Sequence, residues 1–209
     1  MGALSLEDTG AIDRGAAGLA TGDDEDWSFE GSDDPGFSDD PDPTEEVAGV
    51  DWDDVQCTYE GFPVLIHQAT QDNRDPSHPT FLYQARDTEW EPFDELRILS
   101  YQSEPYYGPT GPGSYALEGS NYGDCGLCLL VVTGCDEEYS CESVHFADQG
   151  TLVISDLSRT GGPFAARLQQ VVFRQVEIDP DTLRSTPVDD GVSWCIDELE
   201  IDLPSMALN

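Results

Sequence analysis

Six cysteines, Cys57, Cys125, Cys128, Cys135, Cys141 and Cys195, are the residues of this chain with the clearest chemical potential, and four of them fall within 17 residues. Three chemistries use thiols at such spacing. A structural zinc ion would take four thiolates from C-x2-C-x6-C-x5-C. Such sites usually draw each pair of ligands from a tight knuckle, and only Cys125–Cys128 has knuckle spacing. A redox dithiol needs its first thiol at a helix N-terminus, where the pKa falls. Here Cys128 runs into Leu129–Leu130–Val131–Val132, a buried-strand signature, and Asp124 and Asp136 would raise a thiol pKa. Disulfides account for all six residues without a remainder. The expected pattern has Cys135 and Cys141 bridged across a hairpin loop. Cys125 and Cys128 then reach Cys57 and Cys195, with the order of those two pairs open.

Oxygen ligands offer a second chemistry. Calcium takes carboxylates from loops, and Asp179, Asp181, Asp189 and Asp190 gather around the last turn region, with Asp197 beyond them. These four are the candidate calcium ligands. Asp72, Asn73 and Asp75 form another acidic loop. Neither stretch matches the D-x-D-x-D-G loop, and Asp and Asn also initiate turns without any metal.

The catalytic signatures are weak. His67, His78 and His145 share no ligand spacing. No G-x-S-x-G elbow presents a serine nucleophile. A glycosidase needs two carboxylates at a set separation, and with 44 acids some pair meets that by chance. Tyr101, Tyr106, Tyr107, Tyr115 and Tyr122 lie among Gly, Pro and Ser, a composition that suits a protein- or glycan-binding surface. The alternative is that Tyr115 is a strand residue and the others pack over a long connection.

The elements that would carry these residues are short apolar runs separated by Gly, Pro and Asp. They are 62–69, 80–86, 93–101, 113–119, 126–133, 141–147, 151–157, 164–179 and 192–202. Regular spacing with turn residues between predicts an all-β fold, an antiparallel β-sandwich of about eight or nine strands. The run Val171–Val172–Phe173 argues against a helix over 164–176. Asp148–Gln149–Gly150 predicts a tight hairpin between two runs.

Charge divides the chain. Residues 1–54 hold 18 acids and one Arg, and residues 55–209 hold 26 acids and seven Arg, for a net charge of −36 with no Lys. The first segment has little apolar surface to bury and strong self-repulsion, which predicts a disordered acidic tail or tether ahead of a 55–209 domain. Deletion of residues 1–50 is expected to leave the domain's fold intact. The first twenty residues lack the basic and apolar regions of a signal peptide. The missing Lys excludes a P-loop and a Schiff-base mechanism. The negative field excludes nucleic acid and anionic membrane as partners. No run of about 18 apolar residues predicts a transmembrane segment.

Two stretches carry a family resemblance. In the first, Pro112–Gly113–Ser114–Tyr115–Ala116–Leu117 is followed by Asn121–Tyr122 with Cys125 and Cys128, and then by Gly150–Thr151–Leu152. In the second, Val176–Glu177–Ile178–Asp179 with Thr182 is followed by Ser185–Thr186–Pro187–Val188, Gly191 and Trp194–Cys195–Ile196. Together they resemble a recurring domain of secreted lipoproteins of myxobacteria. The resemblance covers about 85 residues and implies an exported, β-rich surface protein of no established activity, with no catalytic residues to carry over. The expectation is therefore a non-enzymatic, disulfide-stapled module, extracellular or on the cell surface, whose partner is a protein or glycan. Two alternatives stand beside it. One is a cytosolic protein of a halophile, with a structural zinc, since abundant Asp and absent Lys suit a high-salt interior. The other is a secreted hydrolase using a carboxylate pair.

Overall fold

The computed structural model describes residues 55–75, 77–117, 121–158 and 160–208. The expected disorder of the acidic tail, 1–54, lies outside the described residues.

Eleven strands form the domain: β1 Tyr59–Glu60, β2 Ile66–Asp72, β3 Thr80–Arg86, β4 Phe93–Tyr101, β5 Gly113–Ala116, β6 Leu127–Cys135, β7 Ser143–Leu157, β8 Phe164–Ile178, β9 Ser185–Pro187, β10 Ser193–Leu203 and β11 Ala207–Leu208. No helix long and apolar enough to cross a membrane occurs among the described residues. The strands make one sheet in the order β1-β10-β8-β7-β6-β4-β3-β2-β11, with β5 added to β7 and β9 to β8. Pairing is antiparallel except at the margins, where β1 runs parallel to β10 and β11 parallel to β2.

The sheet folds over on itself into two layers. β3 and β8 are far apart in the strand order, yet Phe81 and Phe164 stack with ring centroids 4.6 Å apart, and Tyr83 lies 5.7 Å from Phe164. Leu96, Ile98, Leu129 and Val131 from one layer share a core with Leu152, Leu168, Phe173, Ile196 and Ile201 from the other. This is the expected sandwich. The nine apolar runs correspond to eight of the eleven strands, since 141–147 and 151–157 both belong to β7; the three short strands β1, β9 and β11 are marked by no apolar run.

One expected turn is absent. Asp148–Gln149–Gly150 is no hairpin: β7 continues through it for 15 residues, paired with β8 on both sides of the segment. The register instead slips at Ala147/Gln149 and Gln149/Thr151. Gly150 sits at φ +120°, where a Cβ would come within 2.6 Å of the Gln170 carbonyl oxygen. The glycine serves a β-bulge, which bends a strand without ending it. Across the bend β7 changes partner, from β6 at Ser143–Phe146 to β5 at Thr151–Ile154.

β6 explains the continuous apolar run after Cys128. Leu129 and Val131 enter the main core, while Leu130 and Val132 face the other way into two smaller clusters. A strand buried on both faces reads as unbroken hydrophobicity rather than alternation. The outer clusters are covered by Tyr106 on Tyr101, by Tyr122 and Cys125 of the segment 121–126, and by Tyr139 and Cys141 of the loop 136–142. Gly108 and Gly126 allow that cover: a Cβ on Gly108 would lie 2.0 Å from the Gly126 carbonyl oxygen.

Candidate functional site

The six cysteines form three bridges, Cys57–Cys195, Cys125–Cys128 and Cys135–Cys141, and none is free. The Cys135–Cys141 pairing is the expected one. The others are not. Cys125 and Cys128 close on each other, with Cα atoms 5.5 Å apart, instead of reaching Cys57 and Cys195. The reason lies in the turn ahead of β6: the Cys128 Sγ sits 3.3 Å from the Cys125 carbonyl oxygen, so the chain doubles back within three residues. Cys57 instead meets Cys195 because β1 adds to β10 beside it, with Glu60 opposite Cys195.

The four candidate calcium ligands are not assembled into a binding set. Among the described residues no three His, Cys, Asp or Glu side chains are grouped to hold a metal. Asp179 uses its Oδ1 on its own turn, accepting from the Asp181 N–H at 2.9 Å and the Thr182 N–H at 2.8 Å, and these bonds hold its pKa below the ordinary carboxylate value. Asp190 sits at φ +56° in a separate turn that Gly191 closes onto Val188. These are turn-forming roles. The expected result is that calcium and magnesium, matched for ionic strength, raise the melting temperature equally through screening. A calcium-specific rise that Asp179→Asn abolishes would establish a metal site there.

The tyrosine stretch divides. Tyr101 and Tyr122 are packed into the outer cluster around Cys125–Cys128. Tyr115 is a β5 residue whose hydroxyl donates to the Gly111 carbonyl at 2.8 Å. Tyr106 and Tyr107 are exposed. The histidines are scattered as well. His67 lies near the Tyr83 hydroxyl at 3.4 Å, His78 pairs with Asp75 at 2.9 Å, and His145 is buried in β7.

The inner face at one end of the sandwich is polar. His145 faces the core, as alternation with Ala147 requires. Its Nδ1 is 3.3 Å from the Val131 carbonyl oxygen, its ring meets Trp194 edge-on at 6.2 Å, and its Nε2 is buried without a partner. Burial pushes the imidazole pKa down, opposed by the bond to Val131 and the charge of Asp94. Asp94 accepts from the Gly134 N–H at 2.9 Å, and its own N–H donates to Asp87 at 2.8 Å. Burial pushes the Asp94 carboxyl pKa up against that Gly134 bond, with Asp87 and Glu142 adding to the rise and His145 opposing it. Thr133 and Ser143 exchange a 2.6 Å hydrogen bond on the same face.

A pH dependence follows. Asp94, with its folded pKa raised, stabilises the fold below its unfolded pKa of about 3.9 and loses that contribution as pH rises through the folded value. Ionised Asp94 is therefore a cost at neutral pH. Asp94→Asn, which keeps an acceptor for Gly134, should raise the urea midpoint at pH 7, with the gain vanishing toward pH 4. His145, with its pKa lowered, contributes fully above about pH 6.5 and loses its contribution as pH falls through the folded value. His145→Phe should flatten that acid-side loss.

On the outer face of β3 and β4 sits a group that the sequence did not reveal. Glu95 is completely buried and accepts from Arg97 Nε at 2.5 Å, Gln84 Nε2 at 3.0 Å and Arg86 Nε at 2.9 Å. Arg86 lies 3.9 Å over the Phe93 ring and donates to the Tyr139 hydroxyl at 2.7 Å. The Tyr139 ring also faces both guanidiniums, 5.2 Å from Arg86 and 5.5 Å from Arg97. The Cys135–Cys141 bridge closes the loop that brings Tyr139 there, and Tyr139 itself sits at φ +58°. Glu95 and Arg97, two apart on one strand, look solvent-facing in sequence; only the loop above them reveals a covered face.

No protein-family model, curated protein or solved structure matches this chain.

Proposed function

We propose that residues 55–209 are an exported, non-enzymatic module that binds a partner, or serves as a structural element, at the cell surface. The observation that carries this reading is the Cys57–Cys195 bridge, which spans 138 residues and ties the first strand to the tenth. A domain whose ends are joined in this way, with every cysteine paired, is suited to an oxidising compartment, where disulfides persist. The net charge of −36 supports a partner other than nucleic acid, and the acidic segment 1–54 suits a tether. The resemblance to secreted surface domains points the same way.

The test compares the chain produced in a reducing cytosol with the chain exported to an oxidising periplasm. The exported protein should resist proteolysis and lose that resistance on reduction. Equal resistance of the fully reduced and alkylated chain would remove the basis for an exported module and favour an intracellular one.

A further inference from the structure

The Arg86–Glu95–Arg97 group carries two cations and one anion. Every other Arg that is described pairs with at least one carboxylate of its own: Arg74 with Asp72, Arg167 with Glu198 and Glu200, Arg174 with Asp148, and Arg184 with Asp124. Here a single carboxylate serves two guanidiniums and accepts from three donors. Arg97 is only 8% exposed, and its Nη2 is buried with no acceptor. An uncompensated buried charge is expensive, and so is an unmade bond from a charged donor. Both are resolved by one further anion at this place.

We propose that the outer face of β3 and β4 is a binding site for a ligand carboxylate, with Arg97 and Arg86 as its receptors, Glu95 as the residue that positions them, and Tyr139 as its lid. The Tyr139 ring occupies the place that both guanidiniums face. When it swings out, Arg86 Nη2 gives up the Tyr139 hydroxyl and Arg97 Nη2 gains an exit, so two donors become available to the two oxygens of one carboxylate. Planar guanidinium forks match that geometry better than an ammonium could. Phe93 beside Arg86 supplies an aromatic wall. The lid is the Tyr139 side chain alone: the loop backbone that carries it is pinned, since Asp136 and Ser140 close it by 3.1 and 2.8 Å hydrogen bonds and Cys135–Cys141 fixes its base. Glu137 and Glu138 are exposed at the tip. They and the acidic surface beyond repel a polyanion, which favours a ligand with a single carboxylate over one with several charges.

This inference deepens the binding-module reading and rests on it. The test is a titration of the full chain at constant ionic strength, followed by melting temperature and by the Arg Nε–H resonances. The probes are sodium acetate, glucuronate, glucose and inorganic phosphate. Acetate and glucuronate should raise the melting temperature and shift the Arg97 resonance, while glucose does neither. Arg97→Met should abolish the response. Tyr139→Gly, which suits the left-handed backbone and removes the lid, should tighten acetate by about tenfold, because the closed state no longer competes. The proposal is overturned if acetate does no more than matched chloride, if Arg97→Met retains the response, or if phosphate binds as tightly as acetate. A failed titration leaves the export test untouched. Loss of the export result with an intact acetate response would overturn the compartment and keep the site.

Discussion

Cys195→Ser should cost about 2–5 kcal/mol of stability, the usual loss for a native bridge in a secreted domain. Cys135→Ser should cost clearly less. The difference follows from the chain each bridge closes: Cys57 and Cys195 are 138 residues apart, Cys135 and Cys141 only six. In the chain-entropy account, the long loop restricts the unfolded ensemble far more. The native state adds to the effect. β1 has two residues, Tyr59 and Glu60, whose register partners on β10 are Trp194 and Cys195. Without the bridge, that margin keeps only non-covalent contacts: the Thr58 and Gly61 N–H groups donating to the Ser193 and Cys195 carbonyls, the Ser193 hydroxyl donating to the Gln56 carbonyl, the Tyr59 ring 4.9 Å from Trp194, and the Trp194 indole N–H donating to the Gly61 carbonyl. Denaturant midpoints under non-reducing conditions measure the difference. Equal effects of the two changes would show that the long bridge does not organise the domain.

Glu95→Gln should be about as damaging, costing about 3–5 kcal/mol, because it strands two guanidiniums at a buried carboxylate position. Arg97→Met should be mild by comparison. Glu95 would keep Arg86 and Gln84, and the orphaned Nη2 would vanish with the side chain. This asymmetry is particular to a group with one cation in excess. A balanced ion pair would respond alike to loss of either partner. Chemical denaturation of the two variants decides it, and equal losses would mean that the second cation is fully compensated by groups other than Glu95.

The sequence made the strands legible because their burial is regular. Leu82 and Gln84 alternate with the buried Phe81, Tyr83 and Ala85 in β3, and that pattern survives any tertiary context. β7 was misdivided because Gly150 has the same appearance in a bulge and in a hairpin turn. Which one forms depends on whether β8 is long enough to pair on both sides, and β8 has 15 residues. The cysteine pattern was legible in number but only partly in connectivity. The Cys135–Cys141 bridge is local, and its hairpin is visible in the spacing. Cys57–Cys195 depends on a parallel pairing of a two-residue strand, which leaves no periodic trace. The Arg86–Glu95–Arg97 group was hidden for a related reason. A strand with charges at alternate positions normally shows them to water, and what covers this face is a loop placed by a disulfide 40 residues further along the chain.

The most direct test of the disulfide-stapled, exported domain is peptide mapping by mass spectrometry of the non-reduced chain, trapped with an alkylating agent as it is isolated from the cells that make it. The account predicts no alkylated cysteine, a mass lower than that of the reduced chain by two hydrogens per bridge, and linked peptides joining Cys57 to Cys195, Cys125 to Cys128 and Cys135 to Cys141. Alkylated Cys57 and Cys195 in a folded protein, with or without zinc in the native mass, would contradict it.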